Sequence, residues 1–145
     1  MTRRIKKKPK FDALVDLVLD PRTPPIANVK PGETLEVETW SALTRVVNPT
    51  TGPFFIEGAE PGDTLEVEII DIELPDEGTV AIIPGFGALE GWLNLMEPRS
   101  QDCKIKDGKI TYVRDDGKKI ILDADPFIGT IGVSPEVEAV SSLTP

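Results

Sequence analysis

Apolar and polar residues alternate with a period of two along several short stretches of this chain, and that pattern predicts strands with one buried face. The clearest cases are PGETLEVE (31–38) and PGDTLEVE (61–68), which lie thirty positions apart and differ only at Glu33 and Asp63. In each copy Leu35 and Val37, or Leu65 and Val67, take one face, and Glu36 and Glu38, or Glu66 and Glu68, take the other. The Pro-Gly pair that opens each copy suits a type II turn, because proline presets φ near −65° and glycine accepts the positive φ after it. The pair fits either a duplicated strand-turn unit or two unrelated strands with a hairpin between them. A solenoid would need at least a third copy, and the sequence has none.

The alternation continues through 68–74, and a turn at 75–78 precedes another strand at 79–83. Residues 104–106, 110–114 and 119–122 are separated by Asp107-Gly108 and by Asp115-Asp116-Gly117, strong hairpin signals that predict a three-stranded meander. Phe11, Leu14, Val15, Val18 and Leu19 fall at helical spacing, yet the valines also suit a strand, which the β character of the rest favours. The fold class expected is mainly β: an antiparallel sheet, sandwich or barrel-like domain of about eight short strands with little helix.

Composition agrees with this. Twelve Gly and fourteen Pro in 145 residues are too many helix breakers for a bundle. The length suits one domain, expected over 11–145, after a basic arm at 1–10. Six of the sixteen basic residues, Arg3, Arg4, Lys6, Lys7, Lys8 and Lys10, sit in that arm, so the body carries about −15 of a net −9. A nucleic-acid binder would spread its positive charge over the folded surface, so no nucleic-acid partner is expected; the arm reads as a solvated tail able to lie against the acidic body. No uncharged stretch approaches the roughly 18 residues a membrane helix needs, and 11–20 lacks the cleavage site of a signal peptide. A cytoplasmic protein with no membrane partner is expected.

The chain has no histidine and one cysteine, Cys103. That removes His-dependent triads and the commonest metal ligand, and it leaves Cys103 with no histidine in this chain to activate it. Two segments, PGFGALEGW (84–92) and PFIGTIGVSP (126–135), combine glycine with apolar residues and almost no charge. They read as buried turns, or as surface against a second subunit or a ligand.

The run NPTTGPFFIEGAEPGDTLEVEIIDIE (48–73) resembles the acetamidase/formamidase family of linear-amide hydrolases. PGFG (84–87) and PFIGTIGVSPE (126–136) are similar to two later family segments in the same order, so the resemblance covers about two thirds of the chain. It implies hydrolysis of formamide, acetamide or a similar short amide to ammonia and a carboxylate. It also implies a divalent metal, zinc being the expected one, which would lower the pKa of a bound water and polarise the amide carbonyl. Members of the family run to about twice this length and continue into a Gly-Asn-Met-Asp stretch and histidine-bearing motifs. The chain therefore looks like an N-terminal half whose metal ligands lie mostly in the missing half, with no metal held by this chain alone. The expected partners are a small amide substrate and a C-terminal-half chain, a homo-oligomer, or both, with 84–92 and 126–135 as the candidate contact surface. The alternative is a non-catalytic β module for binding or assembly, or a degenerate remnant.

Few residues here offer chemistry. Glu57 follows the apolar run Phe54, Phe55, Ile56 and is the candidate proton shuttle if burial raises its pKa; otherwise it is a strand-end carboxylate at a turn. Glu60 and Asp63 belong to that turn and read as structural. Candidate substrate contacts are Asn48, Gly85, Phe86, Gly87, Gly129 and Thr130. Some family members carry His where this chain has Asn48, a departure that speaks against a metal role there.

Overall fold

A computed structural model describes residues 2–6, 18–43, 49–84 and 97–141. The described residues are mainly β, with ten strands and no helix. They fall into two compact units, Met1–Val67 with Ile128–Pro145, and Glu68–Phe127.

The first unit holds three two-stranded pairs. β1 (Arg3–Ile5) runs parallel to β4 (Leu35–Val37), β3 (Ala27–Val29) parallel to β5 (Phe54–Ile56), and β2 (Val18–Leu19) antiparallel to β10 (Val140–Ser141). Two of these pairs are parallel, within a fold expected to be mostly antiparallel. Parallel pairing needs a connection of a dozen residues or more, and the chain between β3 and β5 supplies it, with β4 inside it. The β3–β5 ladder extends at both ends, through Ile26 N–H to the Pro53 carbonyl at 2.9 Å and Glu57 N–H to the Val29 carbonyl at 2.8 Å. The Gly52–Pro53 peptide is cis.

Within the basic arm, Arg3–Ile5 is a strand and not the solvated tail expected. The cause lies across the ladder: Arg3 Nε sits 3.1 Å from Glu33 Oε1, and Arg4 Nε sits 3.1 Å from Glu36 Oε1. Exposed pairs of this kind add about 0–1 kcal/mol each, so they select the partner more than they hold it. Of the segment 11–19, only Val18 and Leu19 lie within the described residues, and they are a strand.

Both Pro-Gly turns form as expected. Gly32 has φ +77° and Gly62 φ +99°, and in each turn the residue after glycine donates its N–H back across the turn at 3.0 Å, Glu33 to the Lys30 carbonyl and Asp63 to the Glu60 carbonyl. The acid then closes the loop in reverse: Glu33 Oε2 accepts the Lys30 N–H at 3.1 Å, and Asp63 Oδ2 accepts the Glu60 N–H at 2.9 Å. Beyond the turns the two copies diverge. Residues 35–37 are a strand, whereas 63–75 form no ladder with any described residue, against the strands expected at 65–68 and 68–74. Alternation prepares one face of a strand, but hydrogen bonding needs a neighbour, and among the described residues only the first copy has one.

The second unit is a four-stranded antiparallel sheet in the order β6 (Glu77–Ile82), β7 (Arg99–Lys106), β8 (Lys109–Val113), β9 (Lys119–Asp123). The meander is present as expected, with β6 added at its edge. Asp107 (φ +50°) and Gly108 (φ +69°) make the two-residue turn that the right-handed twist of a hairpin favours. Gly117 (φ +79°) closes the longer turn, its N–H donating to the Arg114 carbonyl at 2.9 Å. The register places Gly78, Val80, Ile82, Cys103, Ile105, Ile110, Tyr112, Ile120 and Leu122 on one face, while Thr79, Asp102, Lys104, Lys109 and Asp123 take the other. Gly78 fits because a Cβ there would come within 3.2 Å of Ile105 Cδ1.

Cys103, 3% exposed, and Val29, 7% exposed, are the buried hydrophobic side chains among the described residues. Apolar groups elsewhere stay in water, among them Val80, Ile82, Ile120 and Leu122 on the apolar face of the sheet and Phe127, Ile131 and Val133 in the 126–135 segment. No helix among the described residues is long and apolar enough to cross a membrane.

Candidate functional site

The element that positions Glu57 is β5. Its apolar residues run parallel to β3, and the ladder ends on the Glu57 N–H. Gly58, at φ +80°, then turns the chain, Ala59 N–H bonds the Ile56 carbonyl at 3.3 Å, and the 60–63 turn comes next. Glu57 is thus fixed through its backbone, while its side chain is exposed in this chain.

The stretch before β5 is anchored by contacts that the sequence did not single out. Pro49 is buried, and Thr51 Oγ1 donates to the Glu38 carbonyl at 2.9 Å, tying the Pro-Thr-Thr-Gly-Pro run to the end of β4. No local pattern marks Thr51, because its acceptor lies thirteen positions away.

Of the candidate substrate contacts, Asn48, Gly85, Phe86 and Gly87 lie outside the described residues. Gly129 is exposed, with open space where a Cβ would stand, and Thr130 is half-buried; both come after β9 and before β10. The close approach expected of glycine in this segment occurs at Gly132, where an added Cβ would meet Leu19 Cδ1 at 2.8 Å, and not at Gly129. Within the described residues, therefore, Glu57 and Gly129 face solvent and do not enclose a pocket.

Cys103 is buried in the middle of β7, opposite Gly78, a packing position. Among the described residues no three Cys, Asp or Glu side chains converge as a metal site would require. Several carboxylates are already engaged: Glu33, Glu36 and Glu38 with Arg3 and Arg4, Asp20 with Arg22, Asp115 with Arg99, and Asp123 with Lys109. With no histidine in the chain, these donors do not fit the divalent ion that the family resemblance implies. At Asp20 the Arg22 side chain, and then the Arg22 N–H, hold the carboxyl below the usual carboxylate range.

No family model and no curated protein matches the sequence. Among solved structures, an acetamidase from Bacillus halodurans superimposes with a TM-score of 0.78 and 32% sequence identity over 98% of this chain. The chain is built like half of an acetamidase. It spans 50% of the length of that acetamidase chain, so the likeness to the acetamidase/formamidase family holds for fold and sequence together, over a half. The acetamidase match runs through both units and both Pro-Gly turns, since it leaves almost none of these residues out.

Proposed function

We propose that this chain is the N-terminal, β-rich half of a hydrolase that cleaves the C–N bond of short linear amides such as formamide and acetamide. The observation that carries the reading is the acetamidase match at 32% identity across 98% of the chain. In this reaction a water oxygen bonds the amide carbonyl carbon, a proton reaches the amide nitrogen, and the C–N bond breaks to give ammonia and the carboxylate. Catalysis needs a base for that water, an acid for the leaving nitrogen and donors for the developing oxyanion.

This chain contributes walls and one carboxylate. Glu57 is held at a fixed place by the β3–β5 ladder, and cover from the completing half would give it the desolvation a proton shuttle requires. Gly129 and Thr130, with Asn48, Gly85, Phe86 and Gly87, are the proposed substrate contacts. The ion expected for the family is assigned to residues outside these 145, because the chain has no histidine and no three Cys, Asp or Glu side chains converge among the described residues. Exposed Phe127, Ile131 and Val133 are the proposed contact with that completing half. Mixing this chain with the other half of an acetamidase, supplying formamide or acetamide and assaying ammonia tests the proposal. Release by the mixture supports it, and a mixture that forms a complex without releasing ammonia refutes it.

A further inference from the structure

The two PGxTLEVE copies are equivalent in their turns and unequal in what they bind. In the first, an extended cationic segment lies alongside: Arg3 N–H donates to the Thr34 carbonyl at 3.3 Å, Glu38 N–H donates to the Ile5 carbonyl at 3.0 Å, and Arg3, Arg4 and Ile5 stand in parallel register with Leu35, Glu36 and Val37. Glu33 serves twice, with Oε2 on the Lys30 N–H and Oε1 against Arg3 Nε. In the second copy Asp63 Oδ2 makes the same bond to the Glu60 N–H, which leaves Oδ1 as the counterpart of Glu33 Oε1. Glu66 repeats Glu36, and Leu65 and Val67 repeat Leu35 and Val37. Yet no described residue forms a ladder with 64–67, and Leu65 and Val67 are 42% and 58% exposed.

We infer that the edge formed by Asp63, Thr64, Leu65, Glu66 and Val67 docks a parallel protein strand of cation-cation-aliphatic sequence contributed from outside these 145 residues. Three observations carry this. The same residue pattern holds such a strand elsewhere in the same unit. Asp63 and Glu66 supply two carboxylates at the positions where Glu33 and Glu36 pair with Arg3 and Arg4. The chain has one Arg-Arg-Ile segment and two edges that fit it, and with its own arm seated on β4 no described residue pairs with the second edge. Recognition is by strand addition, in which backbone hydrogen bonds supply attachment and the alternate side chains supply choice. Without such a strand the edge is an exposed, alternating segment of the kind that proteins ordinarily cover. This site is independent of the hydrolase reading, because strand docking does not require turnover.

The test uses a synthetic peptide with the sequence of residues 2–8, Thr-Arg-Arg-Ile-Lys-Lys-Lys, titrated into the isotope-labelled full chain while amide shifts are followed. The expected result is saturable shifts at Leu65, Glu66 and Val67. Glu66→Gln should weaken binding by roughly two- to five-fold, the size expected for one exposed ion pair, and replacing both arginines of the peptide by glutamate should abolish it. Glu66 is an exposed position, and Glu138→Gln, at another exposed carboxylate, serves as the control that leaves these shifts unchanged. Shifts confined to Leu35, Glu36 and Val37, no shift at the second edge, or binding indifferent to Glu66→Gln would each overturn the inference.

Discussion

Replacing the turn glycines one at a time, Gly32→Ala and Gly62→Ala, separates a turn that carries a ladder from one that does not. Neither added Cβ meets another atom within 4 Å, so the cost is confined to the backbone. An L-residue held at positive φ loses about 1–2 kcal/mol, and alanine recovers about 0.4–1 kcal/mol by stiffening the unfolded chain, for a net cost of about 1 kcal/mol. At Gly32 the strain has nowhere to go, because β3 on one side and the β1–β4 ladder on the other fix both ends of the turn. The Glu38 amide, bonded to the Ile5 carbonyl, should then exchange about five-fold faster in native-state hydrogen exchange. At Gly62 the segment beyond the turn is unladdered, and the turn can relax by giving up its own Asp63 bond to Glu60. The Glu57 amide on the far side should change by less than about two-fold. Equal acceleration of Glu57 by Gly62→Ala and of Glu38 by Gly32→Ala would refute this reasoning.

Asp20 should titrate below the ordinary carboxylate range, and Arg22→Gln should move its NMR midpoint upward; an unmoved midpoint would show that Arg22 is not the cause. By linkage, the Asp20 contribution is present above the unfolded carboxylate value and is lost as pH falls through the depressed folded one, so the variant should be less sensitive to acid over that interval. Cys103→Ser places a hydroxyl in the buried centre of β7 and should lower stability to urea by about 1–3 kcal/mol while leaving ammonia release by the complemented enzyme intact; lost turnover in a folded variant would restore a chemical role to the thiol. Glu57→Gln in the complemented enzyme should reduce kcat by about 10²–10⁴, and unchanged turnover would remove Glu57 from the mechanism.

The parts of this fold legible in the sequence are those decided locally. Asp107-Gly108 and Gly117 dictate their turns by backbone conformation alone, so β8 and β9 were readable nearly to their ends, whereas β7 was read only over its last three residues, 104–106. The Pro-Gly turns were readable for the same reason. The expectations that failed depend on distant neighbours. Arg3–Ile5 reads as part of a charge run until Glu33 and Glu36, thirty or more positions away, make it a strand. Residues 65–74 have the alternation of a strand and lack a described neighbour to bond, so pattern without pairing gave the wrong assignment. At the candidate site, the place of Glu57 at the end of an apolar strand was legible, but its exposure was not, since burial depends on what packs above it. Thr51 was missed because its bond to Glu38 joins two loops whose proximity no local pattern announces.

The most direct measurement is the rate of ammonia release from formamide or acetamide as the other half of an acetamidase is titrated into this chain. A chain that supplies part of a shared centre should be silent alone and should reach a plateau rate at one-to-one stoichiometry. Release by the pure chain that does not rise with added partner would contradict the composite centre, as would a saturated complex that releases none.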